Sequence, residues 1–297
     1  MKLPPIQKSS PQKIGDRPYD ELFIYYLKGR LELRHQKFQN NFLGNWEEED
    51  DSILFFSSSA DRQIENLLHH QPDLEYVDSY RMSYAHWLGE KFSTMELGPF
   101  RIVPPWEAAD VQWDAIADKR LIVLDPGLVF GTGTHPTTRD CLEAIELAAE
   151  SMNIYSVLDL GTGTGLLALA AARLGCEHIV GVDLNLLAAR TAGRNVRLNR
   201  LESRIVIAQG RAEDMIAYPA DLLIANIHYD VMHHLVNSRG FLAKKRFILS
   251  GLMRGEAKHI VNLLQRQPVK IIKQWTQDGI WHTIYGKTEQ DRYYRTQ

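Results

Sequence analysis

Apolar and polar positions follow two different rhythms along the chain. Over roughly the first hundred residues the apolar runs are short and irregular. Glu21 to Leu33 mixes aromatic and aliphatic residues and fits a strand or a helix. Ser52 to Ser57 reads as a strand. Ala60 to His69 carries Ile64, Leu67 and Leu68 at helical spacing, with Asp61 near the start. Val77 to Phe92 is aromatic-rich and predicts helix or irregular structure. Phe100 to Val103 reads as a strand that ends in the rigid turn Pro104-Pro105-Trp106.

Beyond residue 120 the rhythm is regular. Ile122 to Leu124 predicts a short strand, and Thr137 to Glu150 a helix. Strands then alternate with helices. The strands are Tyr155 to Leu160, His178 to Val182, Arg204 to Gln209, Asp221 to Ala225 and Phe247 to Leu252. The helices are Gly165 to Leu174, Leu186 to Asn199, Met232 to Leu242 and Glu256 to Arg266. This alternation predicts a parallel sheet covered on both faces. The ending differs: Val269 to Gln277 and Ile280 to Lys287 are strands joined by Asp278-Gly279, a hairpin signal. A parallel sheet closed by an antiparallel hairpin is not the usual dinucleotide-binding arrangement.

Composition narrows the picture. A chain of 297 residues suggests about two domains. Its net charge of -3 argues against bulk electrostatic attachment to nucleic acid, so no direct nucleic-acid binding is expected. Only Cys141 and Cys176 occur, which excludes a disulfide framework and a cysteine-rich zinc module and fits a reducing compartment. No apolar segment follows a basic N-terminal cap, and the apolar run Leu166 to Ala172 stops at Arg173. A soluble, cytoplasmic protein without membrane contact, monomeric rather than oligomeric, is expected. The first 20 or so residues read as a loose tail. The run from Glu47 to Asp51 reads as a solvated turn, with an acidic docking patch as the alternative.

The most informative stretch runs from Val157 to Gly165, Val-Leu-Asp-Leu-Gly-Thr-Gly-Thr-Gly. A strand enters a tight turn and then a helix, and glycines let backbone approach a ligand. Gly161, Thr162, Gly163 and Gly165 form the loop. Asp183 ends the next strand, where a carboxylate can accept hydrogen bonds from both hydroxyls of a ribose. The dinucleotide fingerprint Gly-x-Gly-x-x-Gly is not met, because Leu166 stands where its last glycine falls. Asp159 places a negative charge before the loop, which repels phosphate but attracts an ammonium group. A ribose, an amino group and no phosphate fit S-adenosyl-L-methionine better than a nicotinamide cofactor. Glu213 and Asp214, after the Arg204 to Gln209 strand, are candidates to accept from an adenine amino group.

The run from Phe130 to Thr138, Phe-Gly-Thr-Gly-Thr-His-Pro-Thr-Thr, precedes this loop. Together they resemble the ribosomal protein L11 methyltransferase family, among the class I methyltransferases that use S-adenosyl-L-methionine. Ile102 to Trp106 and Gly279-Ile280-Trp281 resemble that family too. The resemblance covers roughly residues 97–287. It implies a seven-stranded, Rossmann-like α/β methyltransferase sheet with a terminal antiparallel hairpin, and a separate small α+β domain for substrate recognition. The expected division is residues 1–96 and 97–297. It also implies methylation of protein amino groups, with ribosomal protein L11 as partner. The loop bearing Phe130, Thr132, Gly133 and Thr134 would lie over the methionine end of the cofactor. His135 is expected to order that loop by hydrogen bonding.

Asp221 to Asn226 should be a buried strand whose carboxyl end faces the cofactor, making Asn226 the leading catalytic candidate and a candidate cofactor contact. Its amide oxygen could accept the N–H bonds of an incoming amine and fix the lone pair. Here the chain departs from the family, which usually continues Asn-Ile-Leu, by reading Asn226-Ile227-His228-Tyr229. An aromatic at that position is similar to methyltransferases acting on amide or nucleobase nitrogens, where the ring stacks on a planar substrate. His228 and Tyr229 are therefore expected to shape the acceptor pocket. His228, Asp230, His233 and His234 could suggest a metal, but methyl transfer needs none and no metal site is expected. The alternatives to protein methylation are methylation of a small molecule or nucleobase, and a non-catalytic protein that binds the cofactor.

Overall fold

The computed structural model describes residues 17–32, 38–48, 50–88, 92–108, 120–151 and 153–289. The expected tail lies outside them as far as residue 16. Strand β1 (Glu21–Lys28) resolves the first ambiguity in favour of a strand. Strands β2 (Phe42–Glu48) and β3 (Asp51–Phe56) form a hairpin, so that Glu47 and Glu48 of the acidic run end one strand and Asp51 begins the next, while Glu49 lies outside the described residues. Helix α1 (Asp61–His70) buries Ile64 and Leu67 in a core with Tyr25, Leu54 and Phe56. Strand β4 (Glu75–Ser83) and the short helix α2 (Tyr84–Leu88) occupy the described part of the Val77 to Phe92 stretch, where helix or irregular structure was expected. Long-range pairing decides this: β4 lies antiparallel to β1, Tyr80 opposite Ile24, and completes the sheet β2-β3-β1-β4.

A small three-stranded sheet follows. Strands β5 (Met95–Leu97) and β6 (Phe100–Val103) are antiparallel, and β7 (Leu121–Val123) joins β6 in parallel. Leu97 and Phe100 are buried in the same core as helix α3 (Pro136–Ser151), so β5 packs with the larger unit.

The larger unit alternates as its pattern requires. Strand β8 (Ser156–Leu160) leads to α4 (Leu166–Arg173), β9 (His178–Asp183), α5 (Leu186–Leu198), β10 (Ile205–Gln209) and α6 (Ala212–Met215). Strand β11 (Leu222–Asn226) leads to α7 (Tyr229–Val236), α8 (Arg239–Leu242), β12 (Arg246–Met253) and α9 (Arg254–Leu264). The helix expected over Met232 to Leu242 is thus two helices. The Ser238 hydroxyl accepts from the Phe241 amide at 3.2 Å and caps the second of them. Strands β13 (Val269–Gln277) and β14 (Trp281–Thr288) close the sheet, in the order β10-β9-β8-β11-β12-β14-β13. The hairpin turns through Asp278, Gly279 and Ile280; the Ile280 amide donates to the Gln277 carbonyl at 3.0 Å across Asp278 and Gly279, whose φ angles of 53° and 69° suit such a tight turn. Helix α4 is buried from Leu166 to Ala172, which explains its lack of a polar face. Among the described residues no helix is long and apolar enough to cross a membrane.

The two units are joined through α5. Asn185 Nδ2 donates to the Asn45 carbonyl at 2.9 Å, and Arg190 donates to the carbonyls of Phe42 and Leu43 at 3.1 and 2.9 Å. Deeper in the junction, the Tyr84 hydroxyl donates to Asp125 Oδ1 at 2.8 Å. Arg194 Nε lies 3.0 Å from Asp125 Oδ2, and its Nη1 donates to the Tyr19 hydroxyl at 2.9 Å. Burial and the neighbouring Asp125 push the Tyr84 phenol well above the usual range, so it stays a donor. Tyr84→Phe removes a hydrogen bond to a buried carboxylate. It should lower the unfolding free energy by about 1–3 kcal/mol, read as a lower denaturant midpoint at unchanged slope.

Candidate active site

Strands β9, β8 and β11 are adjacent, and their carboxyl ends carry Asp183, Asp159 and Asn226. Ligands of open α/β sheets bind outside such ends. The glycine loop after β8 passes close to two other segments. A Cβ on Gly161 would lie 2.1 Å from Ile227 Cγ2, and one on Gly163 would lie 2.6 Å from the Phe130 carbonyl oxygen. Only a residue without a side chain lets the loop run between them.

The second loop is fastened to the first. The Thr164 amide donates to the Phe130 carbonyl at 3.2 Å, and the Thr164 hydroxyl donates to the Gly131 carbonyl at 2.5 Å. Asn195, fully buried on α5, donates to the carbonyls of Asp125 and Thr164 at 2.8 and 2.9 Å. The Thr132 and Thr134 hydroxyls are 3.0 Å apart, and Gly133 is buried beside Leu97 and Leu166. Phe130 carries this loop into solvent with 85% of its surface exposed.

Asp159 is 1% exposed. Its Oδ2 accepts from the Thr162 hydroxyl at 2.6 Å, while Oδ1 makes no hydrogen bond of good geometry. Burial, helped by the nearby Asp183 charge, pushes its carboxyl up to about 7, against the pull of the Thr162 hydroxyl and the Ala168 amide. Asp183 accepts from the amides of Gly163 and Asn185, each at 2.9 Å. Burial raises its carboxyl and those amides oppose the rise. Each carboxylate oxygen keeps a further lone pair. The buried, unbonded oxygen of Asp159 fits a ligand that brings an ammonium group, and Asp183 fits one that brings hydroxyls.

Asn226 Nδ2 faces the Thr137 hydroxyl at 3.4 Å, and that hydroxyl is 2.7 Å from His135 Nδ1. The His135 ring in turn meets Trp281 edge-on at 4.8 Å. The loop histidine, the hairpin tryptophan and Asn226 thus form one assembly, in which Thr137 occupies the amide nitrogen and leaves Oδ1 as the accepting end.

Glu213 lies on α6, just beyond β10, and takes a hydrogen bond from Arg211 at 2.8 Å. Its own amide and Arg211 hold its carboxyl below the usual range. His228 is exposed immediately before α7. Tyr229 departs from the stacking role expected of it: its hydroxyl is bonded to His259 Nδ1 on α9, and its ring lies 6.0 Å from His233 and 5.9 Å from His259. As the first residue of α7 its side chain is drawn into the α7–α9 contact. Among the described residues no group of three His, Cys, Asp or Glu side chains could hold a metal ion.

The sequence reading missed Thr137, Asn195 and Asp125 as supports of the site. Asn195 left one signal, a polar residue on the apolar stripe of α5 beside Ala188, Ala192 and Val196.

Residues 39–289 match the family model described as Ribosomal protein L11 methyltransferase (PrmA). The chain is 36% identical over 165 residues to a protein named ribosomal protein L11 methyltransferase from Halalkalibacterium halodurans, covering 55% of this chain and 51% of that one. It is 37% identical over 190 residues to a protein of the same name from Exiguobacterium sibiricum, covering 63% and 58%. The chain therefore spans little more than half the length of these curated relatives. The crystal structure of a ribosomal protein L11 methylase from Lactobacillus delbrueckii subsp. bulgaricus is similar at a TM-score of 0.55 and 27% identity, covering 66% of this chain and 99% of that one.

Proposed function

The chain belongs to the ribosomal protein L11 methyltransferase family, and on that premise we propose that it methylates amino nitrogens of a protein, ribosomal protein L11, using S-adenosyl-L-methionine. One observation supports the reading: the buried Asp159 carboxylate, one oxygen of which has no well-formed hydrogen bond, stands on the strand next to Asn226. An unsatisfied buried acceptor costs about 1–3 kcal/mol, which an ammonium donor offsets. When bound, S-adenosyl-L-methionine supplies an electrophilic methyl group on a sulfonium centre. Asp159 would hold its ammonium group, Asp183 its ribose hydroxyls and Glu213 its adenine amino group. The loop of Phe130, Thr132, Gly133 and Thr134, pinned to Gly161, Thr162, Gly163 and Gly165, would exclude water over the methionine end.

The acceptor must arrive as a neutral amine. A lysine of pKa ~10.4 costs about 4–5 kcal/mol to deprotonate at pH 7. Asn226 Oδ1, turned by Thr137, accepts an amine N–H and aims the lone pair. The proton leaves to water before the loop closes, so no strong base is required. His228 lies at the mouth, and Tyr229 holds α7 in place through α9. The segment before about residue 96 presents the protein substrate.

Asp159 makes binding pH-dependent. Its carboxyl, raised to about 7 in the folded protein, carries the charge that attracts an ammonium group only above that pH. Affinity for S-adenosyl-L-methionine should therefore weaken as pH falls through 7, approaching tenfold per unit, and Asp159→Asn should flatten the profile. Calorimetry between about pH 5.5 and 7.5 checks this, below the titration of the ligand's own amine near ~8. In the ligand-free protein the same raised value runs the other way. It favours the folded state below the unfolded carboxyl's range near ~3.9, and that contribution is lost as pH rises through 7.

Incubation with methyl-labelled S-adenosyl-L-methionine and an undermethylated lysate tests the acceptor class. Label should enter a band of the size of ribosomal protein L11. Label confined to small molecules or nucleic acid would overturn the protein acceptor.

A further inference from the structure

A cavity of about 240 Å³ lies where the N-terminal unit meets the cofactor loop, on a side of that loop lined by neither Asp159 nor Asn226. Trp46 from β2, Trp87 from α2, and Phe92, Phe130, Thr132 and Thr134 are among the residues that line it. The Trp46 and Trp87 rings are 5.5 Å apart at 59°, so they present two differently inclined faces. The Phe130 ring lies 6.3 Å from Trp46 at 26° and stands almost free. Both tryptophan rings lie against Phe55 of β3, at 5.1 and 5.5 Å. Among the described residues none of those lining it is charged.

Aromatic side chains around a cavity whose described lining is uncharged suit a cation, because ring quadrupoles attract a positive group without requiring a counter-ion. A free alkylammonium would have to give up more hydration than a methylated one. The surroundings have matching charge. Glu47 and Asp50, both exposed, follow Trp46 at the end of the β2–β3 hairpin, with Arg30 3.4 Å from Asp50, and the charge of these carboxylates draws a basic segment toward this end of the molecule. Phe130 links the cavity to the transfer site, since its carbonyl is bonded to Thr164 of the glycine loop.

We propose that Trp46, Trp87 and Phe130 form a second subsite, which takes an alkylammonium side chain of a basic substrate segment and prefers it methylated. The guest's identity rests on the protein-acceptor reading above, but its binding does not depend on turnover. A methylated lysine held there would keep the substrate on the enzyme while another amine enters the transfer site. That would make successive transfers to one substrate molecule processive.

The test uses the full chain and three short lysine-flanked peptides. Their central residue is lysine, Nε-trimethyllysine, or the uncharged isostere with carbon in place of the quaternary nitrogen. Tryptophan fluorescence reports binding. The trimethyllysine peptide should quench saturably, and the isostere should bind at least about fivefold more weakly. Trp87→Leu should abolish the difference between the two while leaving S-adenosyl-L-methionine affinity unchanged. Equal binding of cation and isostere overturns the proposal, as does absence of quenching by every peptide. The peptide comparison needs no variant, so a Trp87→Leu chain that fails to fold does not blunt it. Peptide binding without methyl transfer would retain the subsite and count against the transferase reading.

Discussion

Asp183→Ala should weaken S-adenosyl-L-methionine binding by ~10²- to 10⁴-fold. The arithmetic is two hydrogen bonds from ribose hydroxyls to a charged acceptor, at about 1.5–3 kcal/mol each. The effect is this large because the carboxylate is already set for its task. The amides of Gly163 and Asn185, each 2.9 Å away, hold both oxygens in place before any ligand arrives. The same bonds mean that Ala also loosens the glycine loop. Asp183→Asn separates the two effects, since it keeps one amide acceptor and should bind between the wild type and Ala. The ligand-free melting temperature checks that each variant is folded. Titration calorimetry reads the affinity, and an unchanged Kd for Asp183→Ala would remove the ribose assignment.

Asn226→Ala should behave in the opposite way, with the cofactor bound and turnover lost. We expect a fall in kcat of ~10²-fold or more, the scale of losing orientation at a reacting centre, with cofactor affinity within about threefold of wild type. The reason lies in the local assembly. Thr137, 3.4 Å from Nδ2, fixes which end of the amide faces the substrate, and His135 and Trp281 hold Thr137 in turn. Thr137→Val should then reproduce part of the loss in kcat without touching the amide itself. A variant Asn226→Ala that turns over normally would place the acceptor's N–H contacts elsewhere.

The parallel sheet was legible because its strands are buried on both faces and bounded by helices of clear period. Leu222 to Ala225, all buried, could hardly be read otherwise. The hairpin was equally plain, since Asp278-Gly279 supplies the two positive φ angles its turn requires. The placing of Asp159 and the glycine loop at a strand end was legible because strand, turn and helix lie within a few residues, and that of Asp183 because it ends the next strand of a regular alternation. The rest was hidden by distance in the chain. Strand β4 is exposed almost throughout, so it shows no alternation and is held by pairing with β1 some 60 positions away. Tyr229 lies three positions from Asn226, but its partner His259 comes from another helix, so a motif drawn on the line could not reveal which way the ring turns. The bonds from Asn195 to Asp125 and Thr164, 70 and 31 positions apart, likewise exist only in the fold. The same holds for Trp46 and Trp87, which nothing in the sequence brings to the cofactor loop.

Methyl transfer to a protein amine is the centre of this account, and it is tested most directly by mass spectrometry of purified, unmethylated ribosomal protein L11. The protein should gain increments of one methylene mass on amino groups when incubated with this chain and S-adenosyl-L-methionine, and none when Asn226→Ala replaces the wild type. An unchanged mass with wild-type protein whose cofactor binding has been verified by calorimetry would contradict it.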